Sequence, residues 1–203
     1  FHQGVDQMQK NIEMNSYAII NNTISNTYTL LDDLRLEALN LSLQLARLGT
    51  NSIEITGQST SLLTQLQLQM AYKTMSNPLI DKSYIILFDK NKVITPYIAG
   101  NTLDNFYGSF FKYEDLDIDE FKAVFTGKYY NREILPSARV IHNGYEYNRM
   151  LLVQSFPSDP YKKPSGVVLF TLNLDYVNQM LNKALSGSDG IAILYIGDSH
   201  QMQ

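Results

Sequence analysis

The residues best able to do chemistry are aromatic and basic, and they crowd together: Tyr97, Tyr107, Tyr113, Tyr129, Tyr130, Arg132, Arg139, Tyr145, Tyr147 and Arg149. A tyrosine offers an apolar ring face and a hydroxyl, and an arginine offers a planar fork of donors that matches a carboxylate or a phosphate. Together they suit a pocket for a small polar or anionic molecule. The expected ligand-binding set is Arg132, Tyr130, Tyr107, Tyr113, Arg139, Tyr147 and Tyr97. Arg132 is the first candidate anchor because it follows Tyr129 and Tyr130, and Arg139 is the second. The same residues also suit plain sheet packing, since strands favour tyrosine and arginine stems can lie along apolar surface with the charge in water.

Other chemistries find less support. His2, His142 and His200 are too scattered to form a helical or hairpin metal pair, and with no cysteine there is no thiolate site, so no metal is expected. Ser137 and Ser155 lack the glycine-flanked elbow of a hydrolase nucleophile, and no enzymatic activity is expected. The acidic run Glu114, Asp115, Asp117, Asp119 and Glu120 lacks the central glycine and terminal glutamate of a calcium loop. It fits the start of a helix, where negative charge complements the dipole.

Whole-chain properties narrow the class. The 203 residues are 44% hydrophobic and 18% charged, a composition that can build a core and argues against disorder. The formal charge of −4 argues against a general nucleic-acid binder. No apolar run reaches the roughly 18 residues of a membrane span. The chain starts at Phe1 and ends in a polar run after a strand-like segment that has no return strand, which reads as a piece of a longer protein.

The positioning elements follow from periodicity and turn chemistry. Residues 3–48 contain no proline and only Gly4, and their apolar residues recur at helical spacing, which predicts a helix on the order of 65 Å long at 1.5 Å per residue. Its middle, Asn21 to Thr27, is a poor helix former, whereas Leu31, Leu34, Ala38, Leu41, Leu45 and Leu48 form a stripe suited to burial. Gly49 suits a helix cap. A second helix is expected from Ser59–Ser61 to Met75, stopped by Ser76, Asn77 and Pro78.

Strands are then expected at Tyr84 to Phe88 and Val93 to Ile98, followed by a long insertion, Thr102 to Leu135, with a short helix at Asp119 to Phe125. Three more follow at Ala138 to His142, Tyr145 to Phe156 and Gly166 to Leu174, the first two joined by the hairpin signal Asn143–Gly144. Asp175 to Leu185 reads as a closing helix, and Ile191 to Ile196 as one further strand. The insertion is expected to wall a pocket against the later strands, because it is too long for a simple turn. Alternation on the fourth strand puts Tyr145, Tyr147, Arg149, Leu151 and Val153 on one face and Glu146, Asn148, Met150, Leu152 and Gln154 on the other, leaving open which looks into the pocket.

This α+β order, with a stalk helix before a five-stranded antiparallel sheet interrupted after its second strand, is PAS-like. Together with Tyr84 to Phe88, the step Ile134 to Ser137, the Asn143–Gly144 hairpin and Gly166 to Phe170, it resembles the extracytoplasmic double Cache sensor domains of bacterial membrane receptors. The resemblance implies a helical stalk over 1–75, a membrane-distal module over 76–186, and over 187–203 a linker and the first strand of a membrane-proximal module. It implies a non-enzymatic ectodomain without a cofactor, anchored between membrane spans and coupled to a kinase, chemotaxis or DNA-binding output. The expected partners are a small-molecule ligand and a second copy of the chain, paired through the N-terminal helix. Amino-acid-binding members carry an aromatic, arginine and tryptophan cluster before the third strand and an aspartate in the fifth. This sequence has no tryptophan and has Thr171 at that place, which argues against an α-amino-acid ligand. The competing function is a protein-interaction or dimerisation module with no small-molecule ligand.

Overall fold

The computed structural model describes residues 2–48 and 57–185. Two helices come first, α1 (His2–Leu48) and α2 (Gly57–Ser76). The weak stretch in the middle of α1 stays helical, with the hydroxyls of Thr27 and Thr29 donating back to the carbonyls of Thr23 and Ser25 at 2.8 and 3.0 Å. The stripe Leu31, Leu34, Ala38, Leu41 and Leu45 is buried throughout. The expected cap at Gly49 lies outside the described residues, as do the 187–203 segment and its strand at Ile191.

Seven strands form one antiparallel sheet, two more than expected. They are β1 (Ile80–Leu87), β2 (Lys92–Ile94), β3 (Ala99–Thr102), β4 (Phe111–Tyr113), β5 (Glu133–His142), β6 (Tyr145–Phe156) and β7 (Gly166–Leu172), in the order β3-β2-β1-β7-β6-β5-β4. The additional pair, β3 and β4, comes from the segment after β2 and closes the two edges. That segment also carries α3 (Leu103–Phe106) and α4 (Ile118–Gly127), and α5 (Leu174–Leu185) ends the described chain.

Turn chemistry accounts for the strand boundaries. Asn143 and Gly144 take φ of 51° and 80°, the left-handed pair that a two-residue hairpin needs. β2 is shorter than expected because Thr95 folds the chain back: its hydroxyl accepts from the amides of Tyr97 and Ile98. β5 begins before Pro136 rather than after it, and its pairing with β6 shifts register between Leu135 and Ala138, where the proline has no amide to donate. At Gly166 the strands β7 and β1 come so close that a Cβ would collide with the Ile86 carbonyl oxygen.

One compact unit spans Leu34–Asn173; the other contains the N-terminal part of α1 and α5. The larger unit therefore starts inside the segment 1–75 that the sequence assigns to a stalk. Within it, the C-terminal part of α1 and α2 attach to the sheet through Ser42 Oγ, which donates to the Ser155 carbonyl at 3.1 Å, and Gln67 Nε2, which donates to the Thr95 carbonyl at 3.0 Å. On the insertion side, Ile86, Leu151, Val153, Val167 and Leu169 meet Phe106, Tyr107, Phe111, Phe121, Phe125 and Tyr130 in a continuous buried cluster. This settles the strand alternation: Leu151 and Val153 face the insertion.

Candidate ligand-binding site

The site begins with a gap in the sheet. β2 pairs only with Ile85, Ile86 and Leu87, whereas β7 pairs along β1 from Ile80 to Leu87. Pro96 and the Thr95 turn divert the chain, so the first half of β1 has β7 on one side and no strand on the other. A cavity of about 330 Å³ lies along that edge. Its walls are Thr74 of α2, Asp81 to Tyr84 of β1, Thr95 to Ile98 with Asn101, Phe106 and Phe110 around α3, and His142 with Asn143 at the β5–β6 turn.

A register break between Ile80 and Lys82 shapes the charged end, where the Lys82 amide donates to Thr171 Oγ1 at 3.0 Å. Arg149 reaches past β7 from β6, its Nε 3.2 Å from Asp81 Oδ2, while Lys82 Nζ is 4.0 Å from the other carboxylate oxygen. The guanidinium carbon of Arg149 also lies 4.9 Å from the centre of the Tyr147 ring. Deeper in, the Tyr84 hydroxyl is 3.0 Å from His142 Nδ1. The Tyr84 ring is 2% exposed and packs against Phe106 and Phe111 with centroids 5.5 and 5.1 Å away. Phe110 stacks on Phe106, and Tyr97 stands exposed at the rim.

Electrostatics follow from this packing. Burial, reinforced by the nearby Asp81 charge, pushes the Tyr84 hydroxyl far above the ordinary phenol range, so it stays protonated and serves as a hydrogen-bonding group. Burial and then the Lys82 charge hold His142 below its usual value, while Asp81 and the Phe110 carbonyl pull the other way. The ring is therefore neutral at neutral pH.

Of the seven residues expected from the sequence, Tyr97 lines this cavity and the other six lie elsewhere. Tyr107 belongs to the aromatic cluster, its hydroxyl donating to the Leu116 carbonyl at 3.0 Å and pushed up to about 12 mainly by burial. Tyr113 packs its ring on Phe125. Tyr130 is buried, its hydroxyl donating to the Val124 carbonyl at 3.1 Å and its amide to Ser155 Oγ at 2.8 Å. Arg132 takes φ of 54°, and its Nε donates to Asn131 at 3.2 Å. Arg139 pairs with Asp115 and, at 3.4 Å, with Glu146. Tyr147 lies against Arg149.

The insertion does cover the sheet as expected, but its aromatic rings fill the space over β6 and β7 and leave the opening beside β1. The cavity is also lined by Tyr84, His142, Asp81, Lys82, Phe106 and Phe110, none of them in the ligand-binding set expected from the sequence. Tyr84 sits in an apolar run, and its partner His142 is 58 positions away, so no local pattern signals the pair. Among the described residues, no group of three or more His, Cys, Asp or Glu could hold a metal ion, and no helix is long and apolar enough to cross a membrane. The acidic run instead caps α4: Asp117 accepts from the amides of Asp119 and Glu120, and Glu120 accepts from the Asp117 amide.

No family model matches the sequence, and no curated protein does. Solved structures do match. The sensory domain of the Campylobacter jejuni chemoreceptor Tlp3 (CcmL), solved with isoleucine bound, superposes with a TM-score of 0.52 at 14% identity, covering 88% of this chain and 66% of that one. The ligand-binding domain of the same receptor in complex with L-valine gives 0.50 at 14% identity, with 88% and 66% covered. With L-norvaline it gives 0.50 at 14% identity, with 86% and 63% covered. The chain thus spans just under two thirds of the length of these domains. At this identity the likeness is one of fold: the chain shares with these sensory domains a PAS-like fold, a long N-terminal helix followed by an antiparallel sheet.

Proposed function

We infer that this chain is the extracytoplasmic ligand-sensing domain of a bacterial membrane receptor, and that it binds a small polar or anionic molecule beside β1. The observation that carries this reading is the cavity: apolar walls around a few convergent polar groups, in a gap left between strands. The fold it shares with sensory domains supports it. Binding signals only if the ligand has different affinities for two conformations, with the long α1 helix as the element that carries the difference.

A thermal-shift screen against a broad metabolite panel tests the reading. A ligand present at 100 times its Kd should stabilise the domain by roughly 2.7 kcal/mol. A panel of amino acids, organic acids, amines and sugars that leaves the melting temperature unchanged would sink it.

Pairing with a second copy through α1 belongs to the same proposal. Met8, Ile12 and Ile19 of that helix are exposed at spacings that place them along one stripe. Sedimentation of the chain should reveal a concentration-dependent dimer that Ile12→Lys weakens. A strict monomer at high concentration would remove this part and leave the ligand site standing.

A further inference from the structure

The charges around the cavity are unequal. Asp81 is the only carboxylate among the lining residues, and it faces two cations, Arg149 at 3.2 Å and Lys82 at 4.0 Å. Arg149 is the closer partner and the more buried, with a side chain 15% exposed against 44% for Lys82. Arg149 thus approaches the carboxylate from behind, and Lys82 puts a positive charge on the cavity wall itself. Behind it, the buried Thr171 hydroxyl accepts from the Lys82 amide and fixes the backbone there. The one lining carboxylate is thus already engaged by two cations, which leaves it a poorer acceptor for a ligand's ammonium group.

Resting on the sensing reading above, we propose that the cavity takes a small carboxylate without an ammonium group, held by Lys82 and the Tyr84 hydroxyl, with His142 taking up a proton as the ligand enters. The ligand body packs against Phe106, Phe110 and Pro96. Asn143 Nδ2 lies 3.3 Å from His142 Nε2, which makes Nε2 an acceptor and puts the proton of the neutral ring on Nδ1, so Nδ1–H donates to the Tyr84 oxygen and the phenolic O–H is available to donate to the carboxylate. Uptake of a second proton on Nε2 adds a positive charge beside the ligand, and no covalent bond breaks.

The groups facing His142 set the sign. Lys82 opposes its protonation, and Asp81 and the Phe110 carbonyl favour it, while Tyr84 and the neighbouring Asn143 carry no charge. A carboxylate brought beside Lys82 offsets the opposing charge, so ligand and proton bind cooperatively.

Isothermal titration with isovalerate, benzoate, isobutylamine and L-valine, at pH 7.5 and pH 6.0, tests the idea. Isovalerate is the valine skeleton without its ammonium group. Isovalerate or benzoate should bind severalfold more tightly at pH 6.0, and L-valine and the amine should bind about tenfold more weakly than isovalerate or not at all, since an unpaired ammonium is left against Lys82. Lys82→Gln should lose most carboxylate affinity. In His142→Gln whatever carboxylate affinity remains should no longer change between pH 7.5 and pH 6.0.

L-valine binding as tightly as isovalerate, affinity that does not change with pH, or no binding of either carboxylate at millimolar concentration each overturns the proposal. The first two leave the sensing reading intact. The third leaves it intact only where another member of the metabolite panel stabilises the domain.

Discussion

At the scale of the residue, the same side-chain type has opposite roles depending on what its hydroxyl meets. Tyr107 and Tyr130 end on backbone carbonyls inside the aromatic cluster, whereas Tyr84 ends on His142 at a cavity wall. Tyr107→Phe should therefore cost about 1 kcal/mol of stability, chiefly through the lost hydrogen bond to the Leu116 carbonyl, the shortest of the contacts its hydroxyl makes, with ligand affinity unchanged. Chemical denaturation and titration of the same variant check both halves. Arg132→Ala should leave ligand affinity unchanged as well, because its side chain bonds Asn131 and not the cavity; lost binding in titration would return the anchor to Arg132. His142 makes a pH prediction for the empty domain. Its folded value lies below the usual one, so the unfolded chain binds the proton more readily. Stability is then full well above about pH 6.5 and declines as pH falls through that value toward the lowered one. Melting curves across this window should flatten in His142→Gln.

At the scale of the element, helices here are held by different means. The Leu34 to Leu45 stripe of α1 is fully buried, and Leu41→Ala should cost about 2–5 kcal/mol in denaturant unfolding, depending on how far its surroundings close in. The short α4 depends on its end. Asp117 satisfies two amides and is answered by Glu120, so Asp117→Ala should cost about 0.5–2 kcal/mol. Strand β2 illustrates the link from local chemistry to function. Pro96 and the Thr95 turn end it early, and that early end leaves β1 unaccompanied where the cavity forms. A longer β2 would have closed the site with ladder hydrogen bonds.

At the scale of the whole molecule, stability should be graded across the sheet. β1, β7 and β6 occupy its centre, while β3 and β4 are short edges. Amide exchange should be slowest in β7, which is buried along its whole length, and fastest in β3 and β4. A bound ligand should slow exchange in residues 95–98 and 142–143, the two turns that close the cavity; uniform slowing in β5 and β6 instead would move the site to the far side of the sheet.

Much of this was legible in the residues alone. Helix against strand, the Asn143–Gly144 turn, the buried leucine stripe and the PAS-like order of elements are set by contacts within a few positions, and periodicity and turn chemistry record those contacts directly. The make-up of the cavity was not legible, because it depends on pairs far apart in the chain: Tyr84 with His142, and Asp81 with Arg149 68 positions later. Of the tyrosines clustered in sequence, Tyr107 and Tyr130 went into the core, where their rings leave water together and their hydroxyls find backbone carbonyls, while Tyr97, Tyr145 and Tyr147 stay exposed. Only the register of β1 on β7, and the packing of the insertion over one part of the sheet and not another, decided which polar groups would face an open space.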